Sequence, residues 1–377
     1  MNTFNLMIDL IKCAMTDSDY SNLNISEKAI KDLYVLSAQY SLAHLVGQSL
    51  INCNTLGNDE YSCAFTNSVC AAVFLDAQMQ RELGAMSRVF KSSGIEFIPL
   101  KGAVLKQYYP ESWFRSCSDI DILVHKYDLE KAAKALENEL SYVPIHKGTH
   151  DISFFSQSSV HIELHYELIE EYFLPKSHTI LKNAWDYCER SNGDCRLSDE
   201  MFYFYHIAHM AKHYMCGGCG VRPFIDTWIL RKRSMTSSTL LEKGGLKKFD
   251  DAVQKLTDIW FGNTLPTPIT DEMEKFIQTG GTYGNWDNYV SIHQVVQGNK
   301  LKYLLFRVWL PYEQLKFKYP FLDGRKYLLP FFEVKRWIDA LMGGQSDKIL
   351  REVNQARTTT DTETSKVAKM LNDLGLM

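Results

Sequence analysis

The sequence predicts an α+β chain in which a small mixed sheet is embedded between an amino-terminal and a carboxy-terminal helical region. Three observations carry this. Apolar residues recur at helical spacing from the start to about position 92, and short runs rich in β-branched and aromatic residues crowd into 93–170. Helical spacing then resumes after Leu174-Pro175. A chain of 377 residues, 45% hydrophobic and 23% charged, has the balance of a globular protein and the length for two or three units. The expected division is 1–92, 93–170 and 171–377.

The first segment, MNTFNLMIDLIKCAMTDSDYSN, reads as an amphipathic helix. It lacks a basic leader and Asp9 interrupts it, so it is not a signal peptide. From Ser26, a plausible N-cap, Ala29, Leu33, Leu36 and Tyr40 follow at helical spacing. A long helix from about Phe65 to Phe90 should stop at Ser92-Ser93-Gly94. Strands are expected at 95–100, 119–124, 152–156 and 159–168. A helix between the second and third aligns Leu129, Ala132, Ala133, Leu136 and Leu140. Downstream, 199–215 is the clearest helix, and 222–233 follows with Pro223 in its first turn. Residues 236–248 and 264–270 read as connections, and more helices are expected near 271–278, 287–297, 300–318 and 331–342. The tail from Gln355 is polar, with a last helix in VAKMLNDLGL.

Composition removes several classes of function. Lys and Arg total 41 against 45 Asp and Glu, a net charge of −4, so no global basic field would hold nucleic acid. Nowhere do about 18 apolar residues run together, and no membrane partner is expected. Nine cysteines at irregular spacing suit reduced thiols and a cytoplasmic location better than a disulfide framework.

The chemistry concentrates in FIPLKGAVLKQYYPESWFRSCSDIDILV. Asp119 and Asp121 lie two apart in an apolar run, so a strand puts both carboxylates on one face and Ile120 and Ile122 on the other. Paired carboxylates repel unless a cation sits between them, and Mg²⁺ takes a few carboxylates together with substrate phosphates. Upstream, a strand ends at Leu100-Lys101-Gly102 before a helix, where Gly102 would let backbone approach a phosphate. Lys101 and Arg115 would neutralise phosphate oxygens, while Lys106 reads as a solvated helix residue. In the strand at 159–168, His161, Glu163 and His165 share a face. Glu163 can therefore supply a third carboxylate beside the Asp119/Asp121 strand, enough to hold two metals.

The string LKG…YP…R…SDIDILV, followed some forty residues later by HIELHYEL, resembles an uncharacterised nucleotidyltransferase family of the polymerase-β-like superfamily. That resemblance implies a mixed-sheet nucleotidyltransferase core. It also implies two Mg²⁺ ions, or Mn²⁺, held by Asp119, Asp121 and Glu163, and a nucleoside triphosphate such as ATP held at Lys101, Gly102 and Arg115. The implied reaction moves a nucleoside monophosphate to a hydroxyl on a small molecule, a sugar or a protein, with release of pyrophosphate. The family more often shows Asp where Glu163 stands, and Lys101-Gly102 replaces the superfamily's Gly-Ser. HIAHMAKHYMCGGCGVRPFIDTWIL, IQTGGTYGN and LPYEQLKFKYPFLDGRKYLLPFFEVKRW resemble later parts of the family more faintly.

Two other readings stand beside this one. The fold could be retained as a nucleotide- or partner-binding protein without catalysis. Alternatively, His206, His209 and His213 share about one-sixth of a helical turn, and with Cys216 and Cys219 they could hold zinc. On the first reading that helix face lines the cleft, with His209 near the site and His213, Arg222 and Asp226 in a polar network, while His161 and His165 line the site or pair with its carboxylates.

Overall fold

In a computed structural model of the chain, residues 2–16, 25–147, 151–342, 355–356 and 358–377 are described. Four helices come first: α1 (Thr3–Thr16), α2 (Glu27–Gln39), α3 (Ala43–Asn52) and α4 (Glu60–Ser92). Ser26 caps α2 by accepting from the Ala29 amide at 3.4 Å, as its position predicts. The pattern from Ser26 does not continue as one helix: Ser41 turns with φ +55° and separates α2 from α3.

The sheet follows. Its strands are β1 (Phe97–Pro99), β2 (Asp119–Val124), β3 (Val143–Lys147), β4 (Asp151–Phe155) and β5 (His161–His165). Short α5 (Lys101–Leu105) lies between β1 and β2, and α6 (Leu129–Leu140) between β2 and β3. The order β1-β2-β5-β4-β3 places β5 at the centre and β2 beside it, antiparallel to β1 and parallel to β5. Alternation along β2 and β5 sends Ile120, Ile122, Val124, Ile162 and Leu164 into a core with Met79, Met86 and Phe90 of α4 and Ala132, Ala133 and Leu136 of α6. The opposite face is left to Asp119, Asp121, His161, Glu163 and His165. Strand β3 escaped the sequence reading because its side chains at 143–146 are exposed and give no burial pattern.

After α7 (Pro175–Leu181), a hairpin of β6 (Cys188–Ser191) and β7 (Asp194–Leu197) precedes α8 (Asp199–Met215) and α9 (Arg222–Lys232). The stretch read as a connection at 236–248 instead contains α10 (Ser238–Gly244) and begins α11 (Lys247–Phe261), because Leu240, Leu241 and Leu246 are buried. Helix α12 (Pro268–Gln278) starts inside the other expected connection. The segment 300–318 is two helices, 300–308 and 312–318, parted at Pro311, whose ring removes an amide donor. One core joins α1 and α3 with α8, α9, α11 and the last helix, Asp361–Asp373, through residues such as Leu10, Leu45, Phe204, Phe224, Leu256 and Leu371. Among the described residues no helix is long and apolar enough to cross a membrane.

Candidate active site

The acidic wall is set by strand register. Asp121 pairs with Glu163 and Asp119 with His161 across the parallel β2/β5 ladder, so side chains on one face converge. Ligand atoms of Asp119, His161 and Glu163 lie within 4.8 Å of one another, as do those of Asp121, Glu163 and His165. Glu163 belongs to both groups.

The two aspartates differ sharply. Asp121 is buried, and its Oδ1 accepts from Lys101 Nζ at 2.8 Å and from His165 Nε2 at 2.9 Å. Burial alone would favour its neutral form, yet Lys101 and His165 outweigh that and hold it well below the usual carboxylate range. Asp119 has no such partner among the described residues. Burial, then repulsion from Asp121 and Glu163, push its carboxyl up. His165 also reaches Glu163 Oε2 at 3.2 Å, an interaction that holds Glu163 ionised. Burial works against its imidazolium, but the two carboxylates raise its pKa to about 9. His161 stands 3.7 Å from Glu163 through Nδ1.

The turn from β1 into α5 brings Lys101 to this face with φ +44°, a left-handed conformation that costs a side-chain-bearing residue energy. Gly102 has a packing reason as well as the expected phosphate one. A Cβ there would meet Cys117 Cβ at 2.9 Å, so the glycine lets the turn close onto the segment leading into β2. Lys106 is not solvated: it is buried, and its ammonium meets the Asp76 carboxylate of α4 at 2.6 Å, a partner from a distant segment.

Helices α8 and α9 form the facing wall. Ser198 caps α8, whose buried side chains Phe202, Phe204, Ile207 and Ala211 fix its rotation. Tyr205, His209 and His213 then line a cleft of about 340 Å³ together with Lys101, Arg115, Asp119, Asp121, Glu163 and Arg222. His209 and His213 share a hydrogen bond at 3.1 Å, so one donates and the other accepts. Burial, then Lys101, keeps both neutral, with His213 lowered to about 4.

The expected network of His213, Arg222 and Asp226 is replaced by separate pairings. Asp226 is buried and accepts from Arg115 Nε and from the Tyr109 hydroxyl, each at 2.7 Å. Arg222 donates instead to the Ser41 carbonyl at 3.0 Å. The zinc arrangement is not assembled either. His206 points to the Pro223 carbonyl and the Thr227 hydroxyl, and these histidines and cysteines form no convergent ligand group among the described residues. The glycines between Cys216 and Gly220 serve packing: a Cβ on Gly284 would stand 2.2 Å from Gly217 carbonyl carbon. That contact seats Tyr283 at the cleft, a residue that the sequence reading passed over, as it did Tyr205 and the Lys212–Glu170 pair at 2.6 Å. Tyr205 was recoverable, one helical turn before His209. Tyr283 lies in IQTGGTYGN, which carries only a faint resemblance, and its place at the cleft is set by two loops nearly seventy residues apart.

A mixed sheet carrying Asp-x-Asp, a third carboxylate on the adjacent parallel strand and a strand–turn–helix before them is the layout of the nucleotidyltransferase class. The chain belongs to the uncharacterised nucleotidyltransferase family, whose model matches residues 26–261, more than half of its length. No curated protein and no solved structure matches it. The matched span runs from α2 to α11 and includes both walls of the cleft.

Proposed function

We propose that this cleft transfers a nucleoside monophosphate from a nucleoside triphosphate to an acceptor hydroxyl and releases pyrophosphate. The carrying observation is the convergence of Asp119, Asp121 and Glu163 from two in-register strands. The donor set fits a divalent cation: oxygen ligands predominate, and three carboxylates face only two neutralising groups, Lys101 and His165. Asp119, Asp121 and Glu163 would hold Mg²⁺, with Mn²⁺ as the alternative, and that charge would stabilise the transferring phosphoryl group.

The chain's own residues then have separate tasks. Lys101 and protonated His165 keep Asp121 ionised and fixed. Asp119, which unlike Asp121 carries no lysine or histidine donor among the described residues, takes the proton of the acceptor hydroxyl. The hydroxyl oxygen bonds to the α-phosphorus in line as the bond to pyrophosphate breaks. Tyr205 and the neutral His209–His213 pair close the opposite wall against water.

Pyrophosphate release tests this, measured on the full chain with each common nucleoside triphosphate and Mg²⁺, the protein's own hydroxyls and water serving as acceptors of last resort. Release that needs Mg²⁺ and vanishes in Glu163→Gln, with nucleotide still bound, is the expected result. Binding of the triphosphate without release would leave a nucleotide-binding protein of the same fold, and unchanged turnover in Glu163→Gln would remove that residue from the site.

A further inference from the structure

Four lysine and arginine side chains line the cleft, and three are already matched. Lys101 Nζ lies 2.8 Å from Asp121, Arg115 Nε 2.7 Å from Asp226, and Lys212 Nζ 2.6 Å from Glu170. Arg222 is the exception. Among the described residues, its sole hydrogen bond goes from one terminal nitrogen to the Ser41 carbonyl, no carboxylate lies within ion-pair distance, and Nε has no partner. A guanidinium carries five donors and stays charged. The side chain is half-buried with its Nε fully so, and shielding part of a charged donor set from water without an anion is costly.

Its position explains what could repay that cost. Arg222 borders the acidic cleft and also an adjoining, smaller cavity of about 120 Å³, lined by His206, Met210 and Pro223 among others. An engineered cavity of about 150 Å³ holds benzene, so the smaller space suits a small group and not a nucleotide. The histidines around it are neutral, and burial followed by Arg115 pushes the Arg222 pKa down. Asp226 also lines this cavity and its charge reaches Arg222, but its carboxylate accepts from Arg115 and Tyr109. Arg222 lacks an oxyanion of its own. We propose that Arg222 is the anion receptor of the cleft, taking a phosphate or carboxylate group of a substrate, and that Arg115, committed to Asp226, is not. The proposal rests on the transferase reading for the word substrate, although the receptor itself does not depend on catalysis. Two sources share the chemistry: the phosphate tail of the triphosphate, or an anionic group on the acceptor reaching the smaller cavity.

Calorimetric titration separates them. Wild type and Arg222→Gln are titrated with the Mg²⁺ complex of an α,β-non-hydrolysable nucleoside triphosphate, and then, once saturated with it, with inorganic phosphate. We expect Arg222→Gln to weaken one of these probes at least tenfold. Loss on the triphosphate assigns the nucleotide tail, and loss on phosphate alone assigns the acceptor's anion. The melting temperature of the ligand-free variant should hold or rise, because a half-buried charge without a carboxylate partner is removed; an arginine kept for structure would lower it. Should Arg222→Gln fail to fold, Arg222→Met keeps the buried stem, drops the charge and is read by the same threshold. Affinities within twofold of wild type for both probes would overturn the proposal, as would a wild type that binds neither. Tight phosphate binding through Arg222 with no pyrophosphate release would instead sink the transferase reading and leave the receptor in place.

Discussion

His165 and His213 face one cleft from opposite walls and are driven to opposite states. On the sheet wall, His165 sits between Asp121 and Glu163 and has its pKa raised to about 9. On the helical wall, His213 meets another histidine and is lowered to about 4. Burial penalises the charged form in both places, so it cannot explain the difference. Partners do. A sheet whose register gathers carboxylates holds its histidine ionised, whereas two histidines one turn apart on a helix pair with each other and stay neutral. The first wall gathers carboxylates; the second carries a neutral histidine pair beside the cations Lys212 and Arg222.

The largest expected effect follows directly. If chemistry belongs to the sheet wall, Asp119→Asn should lower turnover by about 10³-fold or more, roughly 4 kcal/mol of barrier. His213→Gln should stay within about tenfold. Initial rates of pyrophosphate release compare them, and an equal loss in both would erase the distinction between the walls.

Stability should split the two aspartates next. Asp121→Asn leaves Lys101 and His165 without their shared anion, and breaking a buried pair costs about 3–5 kcal/mol. Asp119→Asn relieves repulsion and should leave stability unchanged or slightly higher. Denaturant unfolding measures both. Arg115→Ala belongs with Asp121→Asn, since it strands the buried Asp226.

These contrasts show what could be read in advance. The Asp-x-Asp strand, Glu163 and the histidine face of α8 are periodic signals, fixed by spacing of two or of three and four, and each lies where its period puts it. Pairings between distant segments carry no such signature. Arg115 and Asp226 are more than a hundred residues apart, and nothing local distinguishes a phosphate-binding arginine from one matched to a buried aspartate. Lys106 was misjudged for the same reason: its partner Asp76 lies on another helix.

The walls should also answer pH in opposite directions. His213, His209, His206 and His44 have folded pKa values below the unfolded value near 6.5. The stability each contributes is complete above pH 6.5 and is lost as pH falls toward 4, because the unfolded chain takes up the protons first. For His213 the loss would reach up to about 3 kcal/mol. His165 runs the other way: its contribution is complete below about 6.5 and is lost as pH rises through about 9. Melting temperature should therefore peak between the two ranges. His213→Gln should flatten the acid side alone; a steeper acid side would contradict the neutral histidine pair.

The smallest effect concerns how the sheet wall holds Lys101 in place. If Gly102 is there for packing, adding a methyl should hurt without any nucleotide present, because the new Cβ would stand 2.9 Å from Cys117 Cβ and 3.0 Å from its Sγ. Overpacking of this kind costs about 1–3 kcal/mol. Removing the obstacle is a cleaner test than the single change. Cys117→Gly should itself destabilise slightly through chain entropy, yet Gly102→Ala placed in that background should cost less than in wild type. A coupling of about 0.5–3 kcal/mol is the range for residues in contact, and unfolding of the two single variants and the double variant measures it. Additive costs would mean that Cys117 is not what confines position 102. Gly102→Ala that leaves stability intact but weakens triphosphate binding would make backbone approach to phosphate the sole reason for the glycine, and the turn would then belong to the ligand and not to the packing of the wall.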